Sequence, residues 1–193
     1  MRGRQAERRG LHAEAARLYG EAVARDRANF RAWAGLARAR EDMGDHGAAA
    51  AALEQGLLLA PNEPSLLYRA GALDLGKRGR PDAARPRLER LLRLAPDHLA
   101  VLLAVGAARA ATGDLAGAED ALKAAERAAP QDPDVAYNLG VFYADAARRP
   151  LEAARAFRRY LKLGGSDVER TTSWIRELDP LGETAPRDAE ENR

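Results

Sequence analysis

Three histidines, three serines, scattered carboxylates and no cysteine are all that this chain of 193 residues offers for catalysis or metal binding. A metal site needs three or four ligands brought together, usually His, Cys or carboxylate at short fixed spacings. His12 and His46 each stand two residues after a glycine, His98 stands alone before a leucine, and neither a His-Glu-x-x-His run nor a cysteine pair exists. Ser65, Ser166 and Ser173 lie outside any Gly-x-Ser-x-Gly turn that would expose a nucleophile. Gly76-Lys77-Arg78-Gly79 lacks the spacing and the preceding strand of a phosphate-binding loop. Adjacent pairs such as Glu41-Asp42 and Glu119-Asp120 read as solvated helix faces rather than acid/base dyads. The expectation is a chain that is not an enzyme, with no metal and no cofactor.

Charge and hydropathy narrow the remaining classes. The first 40 residues carry ten arginines against four acids and the last 15 carry five acids against two arginines, although the whole chain is only +2. Arg2, Arg4, Arg8 and Arg9 are placed to meet phosphate. No aromatics are interleaved with them as stacking platforms, and basic residues elsewhere alternate with acids, so no nucleic acid partner is expected. The longest uncharged stretches, residues 99–108 and 135–144, run about ten residues, half of the ~20 a spanning helix needs, so no direct membrane span is expected. The basic N-terminus leads into no apolar run, which gives a cytoplasmic expectation by default, with a periplasmic one if an upstream signal was removed.

The elements that position these residues are helical. Of the 46% hydrophobic residues about half are alanine, 44 in number, and only 5% of the chain is aromatic; alanine costs least to fix in a helix. A phrase recurs: Gly10-Leu-His-Ala-Glu-Ala15, Gly44-Asp-His-Gly-Ala-Ala49, Gly79-Arg-Pro-Asp-Ala-Ala84, Gly113-Asp-Leu-Ala-Gly-Ala118 and, without the glycine, Arg148-Arg-Pro-Leu-Glu-Ala153, in steps of 34 or 35. Four positions beyond each alanine stands a large apolar residue: Tyr19, Leu53, Leu88, Leu122, Phe157. Such a period with two helical stretches per copy predicts a helix-turn-helix solenoid.

First helices are predicted over 30–43, 64–77, 99–112 and 133–146, second helices over 47–59, 82–94, 116–128 and 151–163. Asn29, Asp97 and Asp132 are placed as N-caps, and Pro64 and Pro133 in first turns. Gly71, Gly106 and Gly140, with Ala37, are expected to face the recurrent alanines where helices approach closely. Pro86 falls inside a second helix and predicts a kink or a late start. Ser166 to Glu169 reads as a capping box opening a final helix with the stripe Val168, Thr172, Trp174, Ile175, Leu178.

Trp33-x-x-Leu36-Ala37, Gly44-Asp45, Ala49-x-x-x-Leu53, Pro61 and, in the last copy, Leu139-Gly140-x-x-Tyr143, Ala153-x-x-x-Phe157 resemble the tetratricopeptide repeat family over residues 10–164. The resemblance implies an all-α fold, a right-handed α-α superhelix with a C-terminal capping helix. Its divisions would be 1–9, a degenerate or truncated first helix; 10–29, 30–63, 64–98, 99–132 and 133–164, the repeats; 165–178, the cap; and 179–193, a disordered tail. Because residues 1–9 hold almost no apolar side chain, the first helix is expected to be absent, frayed or supplied from elsewhere, leaving the Tyr19/Leu11 side open.

The resemblance also implies a function. First helices line a concave groove that holds a peptide or helix of a partner protein, here Arg31, Ala34, Arg38 and Glu41, then Ser65, Tyr68, Arg69 and Ala72. Ala100, Leu103, Ala104 and Ala107 follow, and last Asp134, Tyr137, Asn138 and Val141. Arg69 and Asn138 are the expected polar anchors. The clamp with which some members grip a terminal carboxylate is incomplete, since its lysine positions hold Ala34 and Ser65. The reading is a non-enzymatic scaffold or adaptor with a protein or peptide partner. Its alternatives are a region of a larger multi-domain or membrane-anchored assembly factor, or a homo-oligomerisation module that self-associates through the N-terminal face.

Overall fold

The structure, a computed structural model, describes residues 2–182. Helices follow one another as α1 (Arg2–Arg8), α2 (His12–Arg25), α3 (Phe30–Asp42), α4 (His46–Leu59), α5 (Pro64–Leu75) and α6 (Pro81–Leu94). Then come α7 (Leu99–Ala111), α8 (Leu115–Ala128), α9 (Pro133–Val141), a π-helical turn (Phe142–Ala146), α10 (Pro150–Lys162) and α11 (Val168–Leu178). They group into two compact units, the first ending at Pro96 and the second beginning at Asp97. In the first, α1/α2, α3/α4 and α5/α6 pair through short turns; in the second, α7/α8 and α9/α10 pair and α11 packs on α10.

Each pair is built the same way. The recurrent alanine of the second helix is fully buried in all five copies, at Ala15, Ala49, Ala84, Ala118 and Ala153. The large apolar residue one turn later is buried too, and in the pairs that carry a glycine its side chain comes closest to that glycine of the first helix. A Cβ added to Gly71 would stand 2.6 Å from Leu88, one on Gly106 2.8 Å from Leu122, and one on Gly140 2.5 Å from Phe157. Glycine is required there because a ring or a branched chain occupies the space of its missing side chain.

The turns obey the same logic. Gly10, Gly44, Gly79 and Gly113 all take positive φ, and in the last copy Arg148 does so at φ 54°. Helix starts are capped by side chains: Asn29 accepts from the Ala32 N–H at 3.1 Å, Asp45 from Ala48 at 3.0 Å, Asp114 from Gly117 at 3.0 Å and Asp132 from Asp134 at 2.8 Å.

Several expectations are corrected. Asp97 is not a cap: α7 starts at Leu99, as expected, and the cap position falls on His98, whose side chain makes no capping bond. Ser166 is likewise one residue early: Asp167 precedes α11, makes no capping bond and pairs with Arg170 at 2.8 Å, while the Ser166 N–H donates to the Tyr160 hydroxyl. The buried side of α11 is Thr171 and Ile175 with Trp174 and Leu178 against them, and Val168 is exposed. Helix α6 does not start late but runs from Pro81 through Pro86. The bond Pro86 forfeits is to Asp82, an exposed first-turn residue whose carbonyl water can serve.

Residues 2–8 form a helix after all. Gly3 and Ala6 are buried, and the Tyr19 ring lies where a Gly3 Cβ would be, at 2.9 Å, and where a Gly35 Cβ would be, at 2.4 Å. Tyr19, expected on an open side, is therefore 9% exposed between α1 and α3. The tail expected over 179–193 lies outside the described residues from 183 onward. Just before it, buried Asp179 accepts from Arg158 at 2.8 Å and anchors the end of α11.

Candidate peptide-binding faces

In the first unit, the residues carried over from the resemblance lie on α3 and α5. Arg31 and Tyr68 are exposed, Ala34 is half-buried, and Ser65 and Ala72 are exposed. Two of the expected contact arginines are already engaged. Arg38 donates from Nε and Nη2 to the two carboxylate oxygens of Glu7, both at 2.6 Å, and the Tyr19 hydroxyl donates to Glu7 at 2.8 Å. Arg69 donates from Nη2 to Glu41 at 2.7 Å, and only one bond forms. The pairs fix the face: α1 is tied to α3 by the first and α3 to α5 by the second.

Their electrostatics differ. Burial pushes the Glu7 carboxyl up, but the bonds from Arg38 and Tyr19 outweigh it and hold the group below the usual carboxylate value. At Glu41 burial wins over the single Arg69 bond and the carboxyl is raised. Burial, then the bond to Glu7, pushes the Tyr19 phenol up to about 12. These shifts belong to a structural lattice rather than to acid/base chemistry, since each charge has its partner inside the unit.

A cavity of about 760 Å³ opens beside this face, lined from α1, α2, α3 and the start of α5. It includes Arg31, Ala34, Arg38 and Ser65 but not Tyr68 or Arg69.

In the second unit, Ala100, Leu103, Ala104 and Ala107 are half-buried along α7, and Asp134 is exposed at the start of α9. Asn138 donates to its own helix at the Asp134 carbonyl, 2.8 Å away, so part of its capacity is spent locally. Tyr137 does not flank an open trough: its ring lies 5.3 Å from Tyr160, 6.1 Å from Phe157 and 6.4 Å from Trp174. Val141 borders a smaller cavity of about 330 Å³ with Phe157, Trp174 and Leu178, rimmed by Asp145 and Glu177.

Some residues had no part in the sequence reading. Glu7 stands three residues before Gly10 as Glu41 stands before Gly44, the one signal in the sequence that pairs the two carboxylates. Asp74 is buried on α5, accepting from Arg78 at 2.6 Å and from Arg87, which also reaches Glu54 on α4. Asp74 sits in the apolar register of its helix, and nothing in its spacing announces the two arginines. Among the described residues, no group of three or more His, Asp or Glu could hold a metal ion, and no helix is long and apolar enough to cross a membrane.

Two family profiles, each described as tetratricopeptide repeat, match the chain, one over residues 69–133 and 118–168 and the other over 8–72. No curated protein matches it in sequence. Among solved structures, MamA 41-end from Desulfovibrio magneticus RS-1 is similar at 24% identity over 86% of this chain and 92% of that one, with a TM-score of 0.77. YrrB, described as a tetratricopeptide repeat protein with an unusual peptide-binding site, is similar at 20% identity over 93% and 89%, with a TM-score of 0.78. PilW, described as a widely conserved type IV pilus biogenesis factor, is similar at 18% identity over 97% and 92%, with a TM-score of 0.73. At these identities the likeness is one of fold.

Proposed function

Because the chain belongs to the tetratricopeptide repeat family, we propose that it is a non-enzymatic scaffold whose first-helix faces bind a segment of a partner protein. The observation that carries this reading is the cavity of about 760 Å³ on the α1/α3 side of the first unit, beside exposed Tyr68. A space of that size takes several side chains of an extended or helical segment. In the second unit the counterpart surface is Leu103 and Ala107 on α7 with Asn138 and Val141 on α9, apolar except for one amide. The peptide-binding site in the description of YrrB supports the same reading.

Self-association through the N-terminal face gains nothing from Tyr19, which α1 covers. The test uses peptides selected from a display library with the whole chain as bait. Arg31→Glu in the cavity lining, Tyr68→Ala and Leu103→Glu change exposed or half-buried residues of the two faces, and circular dichroism verifies that all three variants stay folded. At least one should weaken binding of the selected peptides about tenfold or more; unchanged affinity in all three would end the proposal.

A further inference from the structure

The cavity beside α1 gathers basic side chains from α1, α2 and α3. Five arginines line it. Arg38 is committed to Glu7. Among the described residues, Arg2, Arg4, Arg25 and Arg31 have no carboxylate partner. The two carboxylates of the lining are Glu21, held by Arg17, and Glu63, which accepts from the Ser65 hydroxyl at 3.0 Å. Four arginines from three helices thus line one concave space against a single carboxylate without a cationic partner, Glu63. Charges of one sign around a low-dielectric concavity concentrate the opposite sign within it.

The floor decides what kind of anion fits. Leu18, Ala22 and Ala34, with the half-buried Phe30 ring, make it apolar. A single nucleic acid strand wants open ring faces on which bases stack. Neither ring here is open: Tyr19 is pinned between Gly3 and Gly35 with its hydroxyl on Glu7, and the Arg31 guanidinium lies over the Phe30 ring at 5.1 Å. A peptide backbone with an aliphatic side chain suits the floor, and flanking carboxylates suit the arginine rim, where planar forks take carboxylate oxygens in pairs.

We propose that this cavity is the docking site for an acidic peptide segment of a partner protein, one in which Asp or Glu residues flank an aliphatic residue, held by Arg2, Arg4, Arg25 and Arg31. This rests on the peptide-binding reading above and gives its first-unit face a ligand chemistry.

The experiment is fluorescence anisotropy on the whole chain with a labelled peptide alternating Asp or Glu with Leu, its Asn/Gln counterpart, and an oligothymidylate. The acidic peptide should bind, weaken steeply with added salt, and exceed the neutral one about tenfold or more. Arg25→Gln with Arg31→Gln, and separately Arg2→Gln with Arg4→Gln, should each lose about tenfold, while Arg127→Gln, which removes an exposed arginine of α8 outside both faces, changes nothing. All four arginines are exposed, so folding should survive. Equal affinity for the neutral peptide, indifference to both arginine pairs, or tighter binding of the oligothymidylate would overturn the assignment. If library-selected peptides still bind through Tyr68 or Leu103 in that event, only the acidic assignment falls; if none binds at all, the parent reading falls with it.

Discussion

Glu7 and Glu41 hold the same place in successive repeats, yet the protein drives their carboxyls in opposite directions. Glu7 receives three charge-assisted or phenolic bonds and Glu41 one, so partners beat desolvation in one case and lose to it in the other. A carboxyl depressed below its unfolded value contributes stability that is complete above the unfolded pKa and lost as pH falls through the folded one. A raised carboxyl does the reverse, so Glu41 costs stability as pH rises from the ordinary carboxylate value through its folded one. Glu7→Gln should therefore destabilise by about 1 kcal/mol at neutral pH, discounted for the half-exposed Arg38, with the deficit shrinking at an acid pH below the usual carboxylate value. Glu41→Gln should cost clearly less at neutral pH, since it also removes a desolvated charge. Urea unfolding at both pH values checks this, and a Glu41→Gln cost equal to or above that of Glu7→Gln would contradict it. Neither pairing was legible in the sequence, because repeat position tells which face a long arginine leaves from and not which carboxylate it finds. The caps at Asn29 and Asp132 were legible, since a short side chain can only serve the turn it opens.

Helix ends follow a count that the sequence contains. Seven residues separate Gly3 from Gly10, Ala37 from Gly44 and Gly106 from Gly113, but eight separate Gly71 from Gly79 and Gly140 from Arg148. Where the extra residue falls after α5, the helix stops at Leu75 and a longer turn absorbs it; after α9 it is absorbed as the π-helical turn. The Gly3 to Gly10 spacing is the signal that α1 exists, hidden because the segment packs through a glycine and an alanine rather than through large apolar residues. Arg148 closes the series: an arginine at φ 54° does what glycine does in the other four turns, at a cost of about 1–2 kcal/mol. Arg148→Gly should raise stability by about 1 kcal/mol once the greater freedom of glycine in the unfolded chain is subtracted. The side chain makes no bond in the structure that would be lost, so a fall in the urea midpoint would refute the strain account.

At the scale of the whole chain, the alanine excess is the fold's main signature. It places a fully buried small residue in each of five second helices, and in four of them the large residue that follows seats on a glycine of the first. That much was legible because it is periodic, and periodicity survives without knowledge of contacts. The candidate faces were legible only in outline: Arg31 and Tyr68 are open, Arg38 and Arg69 are held inside the first unit, and Tyr137 is drawn into the ring cluster under α11. Long side chains that reach between helices decided each of those departures. The central claim is that a partner segment meets the first helix of each pair, and chemical-shift mapping of the labelled chain with a library-selected peptide tests it directly. Perturbations should concentrate on α3 and α5, or on α7 and α9, at Arg31, Tyr68, Leu103 or Asn138. Shifts confined to the second helices α4, α6, α8 and α10 would contradict it.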